Sequence, residues 1–133
     1  MKALLLVLFF CFYSSLSFSQ TQREMNDDAM TTYKKTDKKL NEIYQEIMTK
    51  YKAKTNFIKC LKNAQGLWVQ FRDAQLAMKY PEQEPGHYGS VLPMCQESYL
   101  TELTETRIKE LQAWLAEHKE GDVCNGSVGD IQQ

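Results

Sequence analysis

Apolar and polar positions divide the chain into one apolar leader and three stretches of helical period. Tyr33, Asp37, Leu40, Tyr44, Ile47 and Tyr51 recur every three or four residues, the mark of one helical face, and predict a first helix from Arg23 or Asp27 to Lys52. A break is expected at Lys54-Thr55-Asn56, with Thr55 or Asn56 as the N-cap of the next helix. The second helix is predicted from Phe57 to Lys79, with Phe57, Leu61, Ala64, Trp68, Phe71, Gln75 and Met78 as a seven-residue repeat of core positions. Gly66 inside it costs ~1 kcal/mol relative to Ala and is expected to mark a close approach of another backbone. Tyr80 to Pro93 carries Pro81, Pro85, Gly86, Gly89 and Pro93 and is predicted to be a long loop, of the kind that is often functional in so small a domain. The third helix is predicted from Leu92 or Met94 to Lys119, with Tyr99, Leu100, Leu103, Leu111, Trp114 and Leu115 as apolar positions and Gly121 as its stop. The pattern therefore predicts an all-α fold, a small antiparallel three-helix bundle with a long loop between helices two and three.

The leader changes the domain limits. Met1 and Lys2, the apolar run Ala3 to Tyr13 and the small residues of Ser17-Phe18-Ser19 have the order of a secretory signal, which makes residues 1–19 a cleaved signal peptide, 20–120 the helical domain and 121–133 a polar tail. The apolar run falls short of the roughly 20 residues of a membrane span, so no span is expected in the mature chain. Lipidation at Cys11 would need a small residue before it, and Phe9-Phe10 stand there instead.

Polar residues inside the apolar stripes set the register. If helices one and two turn near residues 54 and 55, Asp37 stands level with Arg72, and the same arithmetic applied to helices two and three puts Tyr44, Gln65 and Arg107 in a second layer. Asp37, Leu40, Asn41 and Tyr44 share a face. Asp37, Asn41, Tyr44, Gln65, Arg72 and Arg107 are accordingly expected to form a structural polar network, with an Asp37–Arg72 contact. Neither layer contains His, and Arg does not act as an ordinary general base, so no catalytic residue is expected here.

Charge removes one class of function. The chain has a formal net charge of −1, which becomes −2 without Lys2, against the basic excess of a nucleic-acid binder. The charges are segregated: residues 34–62 hold nine Lys against three acids, and residues 80–133 hold ten acids against three basic residues. Either oppositely charged helices pack side by side, or the acidic half meets a basic partner.

The mature chain keeps Cys60, Cys95 and Cys124, an odd number that suggests one pair and one thiol. Cys60 and Cys95 start successive antiparallel helices and lie at opposite ends of the bundle, too far for the roughly 7 Å limit of a bridge. Cys60 stands level with Leu111, and the segment after Lys119 can fold back, so a Cys60–Cys124 disulfide is expected. There is no C-x-x-C, and His87 and His118 fall at opposite ends of helix three, so neither a metal nor a cofactor is expected. Ser90, His87 and an acid compose no nucleophile elbow. Asn125-Gly126-Ser127 matches a glycosylation sequon that matters only in a eukaryotic secretory pathway.

The series Asp37-x-x-Leu40-Asn41-x-x-Tyr44, Leu61-x-x-Ala64-Gln65-x-x-Trp68-x-x-Phe71-Arg72-Asp73-Ala74, Gly89-Ser90, Cys95 and Thr104-x-x-Arg107-x-x-x-Leu111 resembles the LprI-type lysozyme inhibitor domain family, over about residues 25 to 115. The resemblance implies a helical, non-enzymatic, secreted and periplasmic protein whose partner is a basic lysozyme-type hydrolase. Glu82, Glu84, His87, Tyr88 and Ser90 of the loop are the expected partner-binding residues. The other reading is a non-inhibitory structural or adaptor module of the envelope. This chain departs from the family at Leu76, where a cysteine usually follows the Arg-Asp-Ala run. The resemblance thus implies that the usual bridge to Cys95 is absent, Cys60–Cys124 replaces it, and Cys95 is a buried thiol or an intermolecular link.

Overall fold

No glycine or proline occurs before Gly66, so neither of the two strongest helix breakers interrupts the first half of the chain. In the computed structural model, which describes residues 2–116 and 123–128 with side chains from Thr21 onward, α1 runs without interruption over Lys2–Lys50. The start expected at Arg23 or Asp27 is corrected. With no breaker around those residues, the helix continues through them. The second helix, α2, spans Thr55–Lys79, and α3 spans Leu92–Gln112, with Pro93 in its first turn, where a missing N–H is harmless. Two 3-10 turns follow, Ala113–Leu115 and Val123–Asn125. Among the described residues there is no strand.

The core lies between α1 and α3, which run parallel. Asn26 of α1 donates to the Ser90 carbonyl just before α3. At the other end Tyr51 Oη donates to the Trp114 carbonyl at 2.9 Å, and Lys50 Nζ donates to the Leu115 carbonyl at 3.0 Å. Leu40, Ile43, Ile47 and Tyr51 from the first helix and its end pack with Ile108 and Leu111 from α3 and Leu61 from α2. Thr104 is fully buried in the same contact. Ile43, Thr104 and Ile108 are core positions outside the predicted stripes. The α2 helix lies antiparallel to both, across the groove they form.

Tertiary contacts, not local breakers, end the helices. The first helix gives way to a connection at residues 51–54 that contains no glycine. There the Tyr51 ring packs on Phe57 at 4.4 Å between centroids, and Phe57 packs on Trp114 at 5.2 Å. The N-cap of α2 is Lys54, without a side-chain cap bond; the expected caps Thr55 and Asn56 are already inside the helix or its first turn. The α-helix α3 stops at Gln112, not at Lys119. The two side chains from the end of α1 take the carbonyls of Trp114 and Leu115, the chain tightens into a 3-10 turn, and Ala116 is extended. Gly121 and His118 lie outside the described residues. The connection 80–91 is irregular as expected, with Gly86 and Gly89 at φ of 85° and 66°, a region that disfavours a side chain.

The apolar repeat predicted for α2 is inverted in part. Leu61 is buried and Trp68 half-buried, but Ala64 is exposed, Phe71 is 56 % exposed and Met78 72 %. The face turned inward is Leu61, Gln65, Trp68, Arg72 and Leu76, at spacings of four, three, four and four. Gly66 has nothing within 4 Å of where a Cβ would sit, so among the described residues no other backbone approaches it.

Candidate functional site

Two layers of polar side chains cross the seam between α2 and its neighbours, at the heights that hairpin arithmetic places them. In the first, Arg72 reaches across to Asp37 of α1, Nη1 to Oδ1 3.7 Å, and grips Asp73 beside it, Nη2 to Oδ1 2.8 Å. The side chain of Arg72 is only 14 % exposed, whereas Asp37 and Asp73 open to solvent at 39 % and 60 %. Asn41 Nδ2 donates to Asp37 Oδ2 and to the Asp37 carbonyl one turn back, which orients the carboxylate toward α2. In the second layer, Arg107 Nε donates to Gln65 Oε1 at 3.1 Å, and its Nη1 pairs with Glu110 at 2.9 Å. Tyr44 lies half-buried against the apolar core and takes no part in the Gln65–Arg107 bond.

Trp68 ties the layers together. The guanidinium carbons of Arg72 and Arg107 stand 5.5 and 5.9 Å from its ring, within the range of attraction between a cation and an aromatic face. One indole thus serves both arginines. Each arginine also has an acid partner, so the seam carries cations without leaving them uncompensated.

Tyr33 stands beside the first layer. Burial pushes its phenol above the ordinary 10.0; the positive charge of Arg72 works against that, and Asp37, Glu97 and Asp73 reinforce it. The Glu97 Oε2 atom is shielded from solvent and has no hydrogen-bond partner. This arrangement contains no nucleophile with an adjacent base, and its chemistry is that of a latch between helices.

The loop 80–91 presents a different surface. Tyr88 Oη donates to the Pro81 carbonyl at 2.9 Å, and the Tyr88 ring meets Tyr80 and His87 edge-on at 5.9 and 4.7 Å. These contacts close the loop on itself, and the Asn26 bond to Ser90 fastens it to α1. Of the predicted partner-binding residues, Glu82, Glu84, His87 and Ser90 are exposed, while Tyr88 is half-buried as the brace.

No disulfide joins Cys60 to Cys124, and the expected pairing is corrected. Cys60 lies on the outer side of α2, continuous with exposed Ala64, Leu67 and Phe71. The C-terminal turn lies at the same end of the bundle, with Ser127 lining a pocket at the α1–α2 connection beside Tyr51, Lys54 and Phe57. Cys95 is half-buried, and its carbonyl accepts from Tyr80 Oη at 3.4 Å. Among the described residues no three side chains cluster as a metal site, and no helix is long and apolar enough to cross a membrane.

Sequence reasoning missed two surfaces. One is a cleft of about 400 Å³ between α1 and α3, where Lys35, Lys39 and Lys109 surround Ile108 with Glu105 as the acid among them. The other is the outer face of α2. Its signal was present in the sequence: α2 carries apolar residues in two interleaved helical stripes, one of which must face outward.

The described chain is thus a small helical framework with a polar latch and a braced loop. A family model described as lysozyme inhibitor LprI matches residues 15–111, which is most of the chain, and the chain belongs to that family. No curated protein and no solved structure matched it.

Proposed function

We propose that the protein is an exported, non-enzymatic inhibitor that binds a basic cell-wall hydrolase of the lysozyme type. In this reading residues 1–19 are a cleaved leader, 20–120 the binding module in the periplasm, and 121–133 a tail. The observation that carries the reading is the family match over residues 15–111. The loop 80–91 supports it as the contact surface. Glu82 and Glu84 are exposed on a segment held in shape by Tyr88 and Asn26, and a pre-shaped loop loses less entropy on binding than a free one. Its acids suit a basic target, for which charge chiefly speeds association and selects the partner.

The test is a peptidoglycan turbidity assay with lysozyme. Purified protein is expected to protect the suspension, and no protection at molar excess overturns the proposal. A Glu82→Lys, Glu84→Lys variant is expected to need several-fold more protein for the same protection while melting at the wild-type temperature.

A further inference from the structure

The outer face of α2 is apolar, regular and uncovered. Cys60, Ala64, Leu67, Phe71, Ala74 and Met78 succeed one another at spacings of four, three, four, three and four, and all six are exposed, Leu67 and Phe71 at 56 % and Met78 at 72 %. This is the spacing of a coiled-coil seam, and no part of the described chain lies on it. We infer that this face pairs with the same face of a second copy, the two α2 helices running antiparallel about a two-fold axis near Val69.

Two features favour a second copy over a different partner, and a third sets how tightly it is held. First, the stripe is a palindrome: reversed about Val69, its spacings are unchanged. Leu67 then meets Phe71 of the partner, Ala64 meets Ala74, and Cys60 meets Met78. A two-fold contact requires this self-complementarity. Large residues meet at the axis, and small ones beyond it let the helices approach.

Second, the flanks carry no charge. A quarter of the chain is charged, yet from Asn63 to Met78 the only charges are Arg72 and Asp73, which are paired with each other. The positions bordering the seam are Asn63, Gln70 and Ala77 on one side and Leu61, Trp68 and Gln75 on the other. A two-fold contact sets like residues against each other's surroundings, and here it brings no like charges together. An acidic or basic partner would find nothing on this face to pair with.

Third, the extent of the face sets the strength. A pair of helices of 25 residues with one seam buries less than the roughly 1,600 Å² of a standard interface, so the expected dimer is weak, with a Kd on the order of micromolar.

Sedimentation equilibrium on the purified protein is expected to show a monomer–dimer equilibrium. Phe71→Glu should make the protein monomeric with unchanged helicity, since Phe71 is 56 % exposed and outside the buried core cluster. A wild type that stays monomeric at about a hundredfold the expected Kd, or a Phe71→Glu variant that stays dimeric, overturns the inference. Orientation is read by oxidation in a Cys11→Ser, Cys95→Ser, Cys124→Ser background. Cys60 alone should leave the dimer uncross-linked, and adding Met78→Cys should cross-link it. Cross-linking through Cys60 alone means parallel helices and overturns the two-fold described here. If the wild type is monomeric and Phe71→Glu weakens capture of lysozyme, the face belongs to that partner and the assignment to a second copy fails. Loss of inhibition by the loop variant, with the dimer intact, leaves this inference standing apart from the proposed function.

Discussion

Thr104 sits at the centre of the α1–α3 contact with none of its surface exposed, and its hydroxyl has no hydrogen-bond partner. Its neighbours Thr101 and Thr106 donate to the carbonyls four residues back, which is the usual resort of a helical threonine. A buried hydroxyl without a partner costs about 1–3 kcal/mol. Thr104→Val is therefore expected to raise the melting temperature by several degrees, and a fall would show that the hydroxyl is held. Arg72 is the opposite case, a charge with partners. Because both its acids are open to solvent, the ion pairs are screened, and much of its contribution is packing on Trp68. Arg72→Ala is expected to cost about 1–2 kcal/mol in denaturant unfolding, and Asp37→Asn less, since Asp73 remains. Tyr33 gives a pH prediction. Folding raises its pKa above 10.0 by disfavouring the phenolate. The associated stability is full below the unfolded value and is lost as pH rises through the folded one. An ultraviolet titration of the folded protein should contain a late tyrosine step that Tyr33→Phe removes.

At the scale of elements, α1 and α3 hold the core and α2 rests on it. Among the described residues, seven of the eight that are buried lie on α1, its end, or α3, and α2 supplies Leu61. Segments with few buried apolar contacts open first. Amide exchange is therefore expected to be slowest at residues 40–51 and 104–111 and faster in the second half of α2. Equal protection across all three helices would contradict this account. The loop 80–91 resists opening by other means, with its tyrosine brace and the Asn26 bond in place of buried bulk.

At the scale of the whole molecule, two surfaces of different chemistry stand apart: the acidic loop and the uncharged stripe of α2. Salt separates them, because exposed charges are screened over about 10 Å at 0.1 M and apolar contact is not. Binding to a lysozyme-type partner is expected to weaken several-fold between low and 0.3 M salt, while self-association measured in the same buffers stays level or strengthens. The basic residues of 34–62 do not simply cover the acidic third helix. Lys35 and Lys39 face Lys109 across the α1–α3 cleft, so the segregation of charge along the chain survives as patches on the surface.

Much of the fold was legible in the chain itself. Three stretches of helical period determine three helices, a proline- and glycine-rich stretch determines the loop, and equal rise per residue places Asp37 by Arg72 and Gln65 by Arg107. These are local or arithmetic consequences of a helix that repeats every 3.6 residues. The family, too, was legible in the ordered series of residues from Asp37 to Leu111. What only the tertiary structure decided is which of two apolar stripes of α2 turns inward, where α1 and α3 end, and whether Cys60 meets Cys124. A helix with apolar residues on two sides does not say which side the groove will take. Here the groove takes Leu61, Gln65, Trp68 and Arg72, because Asp37 of α1 is there to compensate Arg72 and Arg107 of α3 to bond Gln65, and it leaves Leu67, Phe71 and Met78 to the outside.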